Sequence, residues 1–156
     1  MTDPLTTLQQ AVTDRLRQFP FLVDVPVFNE RLKDIDSEIQ KALGTLAGNG
    51  KVGIFALVLT PVAKVGGCET PGEPYFDDVD VVVQVAENVP LNTGAGGTQK
   101  TAPAVALAAA ASLHLYFEQG KFGPLKTVAI KLVPDQNLLV YNVSFKTALN
   151  APAVFA

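Results

Sequence analysis

Residues 94–101 are the part of the sequence that comes nearest to a chemical site. They read Gly-Ala-Gly-Gly-Thr-Gln-Lys-Thr and lie between a valine-rich stretch and an alanine-rich stretch. A glycine-rich loop between a strand and a helix, ending in lysine and threonine, is typical of the P-loop that binds phosphates. However, Gln99 stands where a P-loop needs its second glycine, and the loop begins about ten residues after the strand. We therefore interpret residues 94–101 as a flexible loop that orders on a partner, and keep nucleotide binding as the alternative.

A group of carboxylates near residue 80 is a second candidate, because carboxylate oxygens bind hard cations. Along a strand, however, Asp78 and Asp80 share one face and Asp77 points to the other, so the three do not converge. The acidic residues considered are Glu69, Glu73, Asp77, Asp78, Asp80 and Glu87. We expect a solvated strand start and no metal site.

The only histidine, His114, lies in an apolar helical pattern with no serine, cysteine or acid at a telling spacing. A histidine in that setting is more typical of a satisfied core or interface residue than of a general base. The three tyrosines are interpreted as structural aromatic residues at the boundary of the core. We therefore expect no catalytic residue and no cofactor.

The composition points to association with other copies of the chain. Of 156 residues, 48% are hydrophobic and 17% are charged, against a usual charged share of about 25%. This length corresponds to one domain spanning residues 1–156. Because so little charge is available to cover a monomer, we expect part of the apolar surface to be covered by another subunit.

Net charge and segment lengths exclude other classes. The chain carries a net charge of −3 with scattered Lys and Arg, which disfavours sequence-specific nucleic-acid binding. Cys68 is the only cysteine, so no intrachain disulfide forms. The longest uncharged run falls short of the ~20 residues that a bilayer span needs. We expect a soluble intracellular protein without membrane contact.

The stretch from Val79 to Leu115 organises the chain as strand, loop and helix. Its odd positions from Val79 to Val85 are all valine, which predicts a strand with one buried face. Pro103 suits the first turn of a helix, and Ala104–Phe117 is apolar on nearly every side. Such a helix must be covered over most of its surface.

The remaining patterns predict a complete α+β order. Helical spacing occurs at residues 4–18 and 30–46, and strand patterns occur at residues 21–28, 51–65, 75–86, 125–133 and 138–147. Pro26 demotes the first strand to a sheet edge, and Pro61 marks a bulge. Turn residues at 66–74 and at 134–137 predict that the strands on either side of each turn pair antiparallel, the second pair as a hairpin. The order α-β-α-β-β-α-β-β predicts a mostly antiparallel sheet with helices packed on it.

Residues 81–92 carry a family resemblance. They read Val-Val-Val-Gln-Val-Ala-Glu-Asn-Val-Pro-Leu-Asn, and a Gly/Thr loop and an Ala/Leu helix follow. This succession resembles the small tail proteins of tailed bacteriophages, in particular the tail terminator or tail completion family of minor tail proteins. In those proteins a strand ends in a turn of the type Glu-Asn-(x)-Pro-x-Asn, where x is any residue. The flanking order of elements is also similar.

The resemblance implies a structural virion protein at the tail end or head–tail junction. Its subunits would assemble in the host cytoplasm into a homo-oligomeric ring, commonly hexameric, that docks to the tail tube protein and to a connector or neck protein. We expect the interface to use loop residues Gly66, Gly67, Glu69, Glu73, Asn92, Gly94, Gly96, Gly97 and Lys100. A small enzyme or nucleotide binder and an adaptor with a ligand-binding sheet face remain the competing hypotheses.

Overall fold

The computed structural model describes residues 3–43, 52–64 and 76–149. Its helices are α1 (Pro4–Gln18), α2 (Ile35–Ala42), α3 (Val89–Thr93) and α4 (Ala102–Leu113), with a 3₁₀ turn at Pro20–Leu22. Its strands are β1 (Val27–Asn29), β2 (Ile54–Val58), β3 (Val62–Lys64), β4 (Phe76–Glu87), β5 (Lys126–Val133) and β6 (Leu139–Leu149). This confirms the predicted α+β class.

The strands form one mixed, mostly antiparallel sheet in the order β1-β2-β4-β6-β5, with β3 paired to β4 beside β2. Only β1 and β2 run parallel among the described pairs. The predicted antiparallel pairing across residues 66–74 is confirmed, because both β2 and β3 pair antiparallel with β4. The predicted hairpin of β5 and β6 is also confirmed.

The main core lies between one face of the sheet and the helices α1 and α4. Val79, Val81, Val83 and Val85 of β4 are fully buried there, as the alternation predicted. Helix α1 lies over β1 and β2, and α4 lies over β4, β6 and β5. Asp3 caps α1 by accepting a hydrogen bond from Thr6 N, which fixes where this helix starts.

Within residues 3–43, 52–64 and 76–149, the opposite face of the sheet is partly covered. Helix α2 packs on β2 through a smaller apolar cluster that includes Phe55, Leu57 and Val140. Beyond that cluster the face is polar: Lys146 Nζ lies 2.5 Å from Asp78 and 3.1 Å from Asp80. This confirms that Asp78 and Asp80 share a face.

The long apolar stretch 51–65 forms two strands instead of one. β2 is buried at all five positions. The chain then leaves the ladder around Pro61, which has no N–H to donate, and re-forms pairing as β3. Pro61 is therefore a break between strands and not a bulge.

The strand and the helix predicted within residues 21–46 were longer than the elements observed. Residues 20–22 form the 3₁₀ turn, and the edge strand β1 begins only at Val27, after Pro26, whose carbonyl accepts a hydrogen bond from Ala56 N. Helix α2 starts at Ile35 because Asp34 adopts a left-handed conformation with φ 60°. Part of the predicted helix end, residues 44–46, lies outside the described residues.

The stretch from Val79 to Leu115, predicted as strand, loop and helix, differs from that prediction in two places. Residues 89–93, taken as loop, form the short helix α3, which Asn88 caps. Helix α4 ends at Leu113 and not at Phe117, because Leu115 turns away with φ 62° and its N–H donates to Leu125 O. The described residues cover one side of α4, and Leu107 on the other side is 62% exposed. Among the described helices none is long and apolar enough to cross a bilayer.

The packing of α4 gives a direct test. Ala109 is fully buried, whereas Ala111 on the same helix is exposed. We expect Ala109→Leu to overpack the contact with the sheet and to lower the free energy of unfolding by about 1–3 kcal/mol. Ala111→Leu is the matched control and should change it by less than about 0.5 kcal/mol. Urea denaturation measures both, and equal stability of the two variants would contradict this packing.

Candidate functional site

The segment from Glu87 to Ala102 is built around the side chain of Asn92. This side chain is fully buried, and its Nδ2 donates to Glu87 Oε2 at 2.7 Å and to Lys100 O at 2.8 Å. Its Oδ1 accepts hydrogen bonds from Thr98 N at 3.1 Å and from Thr98 Oγ1 at 2.7 Å. An asparagine side chain has two donors and two acceptor positions, so every one is used here.

Glu87 extends the same network to the start of α4. Its carboxylate is 2% exposed, and Oε1 accepts a hydrogen bond of 2.8 Å from Ala102 N, the first residue of α4. The N-terminal end of a helix favours a negative charge, because its first N–H groups have no partner within the helix. Glu87 therefore connects the end of β4, through Asn92, to the helix that covers the core.

Two glycines allow the backbone to approach Asn92 closely. A Cβ atom on Gly53 would lie 2.5 Å from Asn92 N, and Gly53 has φ +78°. A Cβ atom on Gly97 would lie 2.0 Å from Asn92 O. Only glycine fits at both positions. The glycines at 53 and 97 thus have a packing role within the chain.

The loop has no phosphate-binding geometry. A P-loop presents successive backbone N–H groups to a phosphate. Here those groups donate within the segment: Gly97 N to Gly94 O, Thr98 N to Asn92 Oδ1, Gln99 N to Asn92 O and Lys100 N to Thr98 Oγ1. The loop conformation is therefore held by the chain's own hydrogen bonds, which differs from the flexible loop predicted from the sequence.

Lys100 is also engaged inside the chain. Its Nζ lies 2.6 Å from Asp24 Oδ1 and 2.5 Å from Phe21 O, and it sits 4.5 Å from the centre of the Phe21 ring. Through these contacts Lys100, just before α4, binds the segment between α1 and β1. A P-loop lysine would instead point into the loop at the phosphates.

The other candidate residues do not converge on a reaction centre. His114 is exposed at the end of α4, and its Nδ1 lies 3.0 Å from Thr127 Oγ1. Asp78 and Asp80 pair with Lys146, whose hydrogen bond to Asp78 lowers the pKa of that carboxyl. In the ranges 3–43, 52–64 and 76–149, no group of three or more His, Cys, Asp and Glu is arranged to hold a metal ion.

Tyr116 has a perturbed pKa but no matching chemical role. Burial is the largest cause that raises its pKa to about 12, and the hydrogen bond donated to Glu118 adds to it. The same hydrogen bond lowers the pKa of Glu118. A phenol with this pKa stays protonated at neutral pH, so it acts as a donor that holds Glu118 in place.

The predicted interface residues fall into three groups. Asn92 is buried and holds the loop from within, and Gly97 packs on it. Gly96 is exposed, whereas Gly94 and Lys100 are half-buried. Gly66, Gly67, Glu69 and Glu73, together with Cys68, lie outside the described residues.

The sequence interpretation missed the roles of Glu87 and Thr98. Glu87 was grouped with the cation candidates, although it accepts a hydrogen bond from Ala102 N at the start of α4, where Thr101 is the N-cap. One local signal was available: Asn88 with Pro90 two residues later is a cap followed by a proline in the first turn. That pattern predicts α3 and brings the chain back towards Glu87.

The Asn92 network predicts a large effect of a small substitution. Asn92→Ala should lower the free energy of unfolding by roughly 2–4 kcal/mol, because each buried partner left unpaired costs about 1–3 kcal/mol. Asn137→Ala, at an exposed turn position, is the control and should stay within about 0.5 kcal/mol of the wild type. Because the chain has no tryptophan, circular dichroism is used to follow chemical denaturation and to compare the free energies of unfolding of the two variants. A wild-type value for Asn92→Ala would show that the network does not stabilise the fold.

Lys100 separates the structural and the nucleotide-binding interpretations. Lys100→Ala should leave the chain folded and lower the free energy of unfolding by about 0.5–1.5 kcal/mol, through loss of the ion pair with Asp24, the hydrogen bond to Phe21 O and the cation–π contact with the Phe21 ring. Calorimetric titration with ATP should detect no binding to either form. Micromolar ATP binding that disappears in Lys100→Ala would overturn the structural interpretation.

Comparison with known proteins gives a likeness of fold. No protein-family model and no curated protein sequence matches the chain. Among solved structures, the chain is similar to a chain described as "Virion of native gene transfer agent (GTA) particle". The two share 18% sequence identity with a TM-score of 0.58, over 93% of this chain and 96% of the other. The likeness shows that nearly the whole of both chains adopts a common fold.

Proposed function

We propose that the chain is a structural virion protein of the tail terminator or tail completion type. It assembles with further copies of itself into a ring at the tail end or head–tail junction, and it docks to the tail tube and to a connector or neck protein. The observation that carries this proposal is the common fold with a chain of a virion particle over nearly the full length of both. The tail-protein resemblance of residues 81–92 supports the same assignment.

The surface of the chain supports self-association. Large apolar side chains remain exposed on α4, β5 and the segments next to β1, including Val23 at 77% and Leu107 at 62%. Apolar patches on a protein surface mark places where other proteins bind. In this proposal the virion is the place of function.

The geometry of the loop favours this role over that of an enzyme. The N–H groups of residues 97–100 and the Lys100 ammonium are bonded within the chain, so they do not provide a phosphate site. In the proposed assembly the exposed tip at Ala95 and Gly96 faces a partner, while Asn92 keeps the tip in a fixed conformation. The loop at residues 66–74 is proposed for the same interface from its sequence.

Self-association is the property to measure. We expect analytical ultracentrifugation of the wild-type chain to show a homo-oligomer whose fraction rises with concentration, because head-to-tail contacts close into a ring when the rotation permits. Added tail tubes should shift the chain into a larger complex. A chain that stays monomeric at high concentration, with and without tail tubes, would overturn the proposal.

A further inference from the structure

Seven of the ten large apolar side chains that are exposed in the described residues fall into two unlike groups at opposite edges of the sheet. One group, here called the β5 surface, follows α4 and the final hairpin: Leu107, Leu115, Val128 and Leu132, each at least 55% exposed. The other group, here called the β1 surface, borders the outermost strand at the far edge: Val23, Leu32 and Val62, at 77%, 41% and 58% exposure. Two different patches on opposite edges fit a head-to-tail contact.

The fold accounts for the position of each group. β5 is the last strand of the sheet, and α4 lies over β4, β6 and β5, so Leu107 and Leu132 are on one side of the molecule. The N–H of Leu115 donates to Leu125 O, which holds this segment at the start of β5. Val128 lies at a β-bulge between Thr127 and Ala129.

Backbone hydrogen bonds and strand pairing likewise determine where the residues of the β1 surface lie, at the other edge of the sheet. Leu32 N donates to Asn29 O, so Leu32 lies in the turn directly after β1. Val62 belongs to β3, which continues the line of β2 along β4. Glu30 N donates to Val58 O, and Thr60 N donates to Glu30 Oε2, which joins these segments.

The two edges also carry opposite charge. Strand β5 contains Lys126 and Lys131 and no carboxylate, a net charge of +2. Both lysines are exposed, and neither has an ion-pair partner within the described residues. The segment 30–38, next to Leu32, contains four carboxylates and two basic residues, a net charge of −2. In an isologous contact of β5 with β5, by contrast, lysine would face lysine.

We infer that the β5 surface of one copy docks on the β1 surface of the next copy. Apolar contacts supply the centre of this interface, and lysines 126 and 131 face the carboxylates of segment 30–38. Since the two surfaces differ, the contact is heterologous, and it closes into a ring when the rotation between successive copies permits. This inference rests on the proposed function and names the surfaces that would build the ring.

A charge exchange tests this contact. The double variant Lys126→Glu/Lys131→Glu changes β5 from +2 to −2, and Asp36→Lys/Glu38→Lys changes segment 30–38 from −2 to +2. Either variant alone places like charges together and should raise the concentration for half-assembly about tenfold or more in low salt. The chain that carries all four substitutions should assemble within about threefold of the wild type, since opposite charges face each other again.

The control measurements separate folding, assembly and function. Circular dichroism should show a folded chain in each variant. The lysines are exposed, whereas Asp36 and Glu38 lie in the first turn of α2, which favours carboxylates, so Asp36→Lys/Glu38→Lys should lower the melting temperature without unfolding the chain. If the wild type assembles but the two double variants assemble equally well, or the fourfold variant is not restored, the inference fails and the proposed function stands. If the wild type is monomeric with and without tail tubes, the proposed function fails and the inference with it.

Discussion

The rest of the structure depends on the four hydrogen bonds of the buried Asn92 side chain. They join the end of β4 through Glu87, the loop through Thr98 and Lys100 O, and the start of α4 through the Glu87–Ala102 bond. A carboxylate at position 92 would bring a second negative charge against Glu87 in a buried place, where charge without a partner is costly. An apolar residue would leave its partners unpaired. The amide is therefore the group that fits.

The sequence predicted those parts of the fold that local patterns determine. Alternating valines identified the buried face of β4, and helical spacing identified α1 at residues 4–18. These predictions were confirmed because burial of one face is enough to produce the pattern. The hairpin of β5 and β6 followed in the same way.

The sequence could not predict the features that distant residues determine. Helix α4 ends early because Leu115 bonds to Leu125 O, and the loop is ordered because Asn92 reaches Glu87 and packs on Gly53. None of these partners is visible in local spacing. The site prediction consequently included Asn92 among the interface loop residues, whereas its side chain is buried and fully hydrogen-bonded. Composition did indicate excess apolar surface, but not that it lies at two edges.

The edge strands of the sheet are built in ways that prevent another strand from pairing with them. Exposed apolar side chains lie at the same edges. β1 and β3 have three residues each, and Arg17 donates two hydrogen bonds to Val27 O. β5 carries a bulge and two lysines. Short edge strands, bulges and lysines are the devices by which proteins prevent uncontrolled pairing of strands. An association that uses these edges therefore depends on side-chain contacts more than on an extended sheet, and it is specific to complementary surfaces because the backbone alone offers little to a wrong partner.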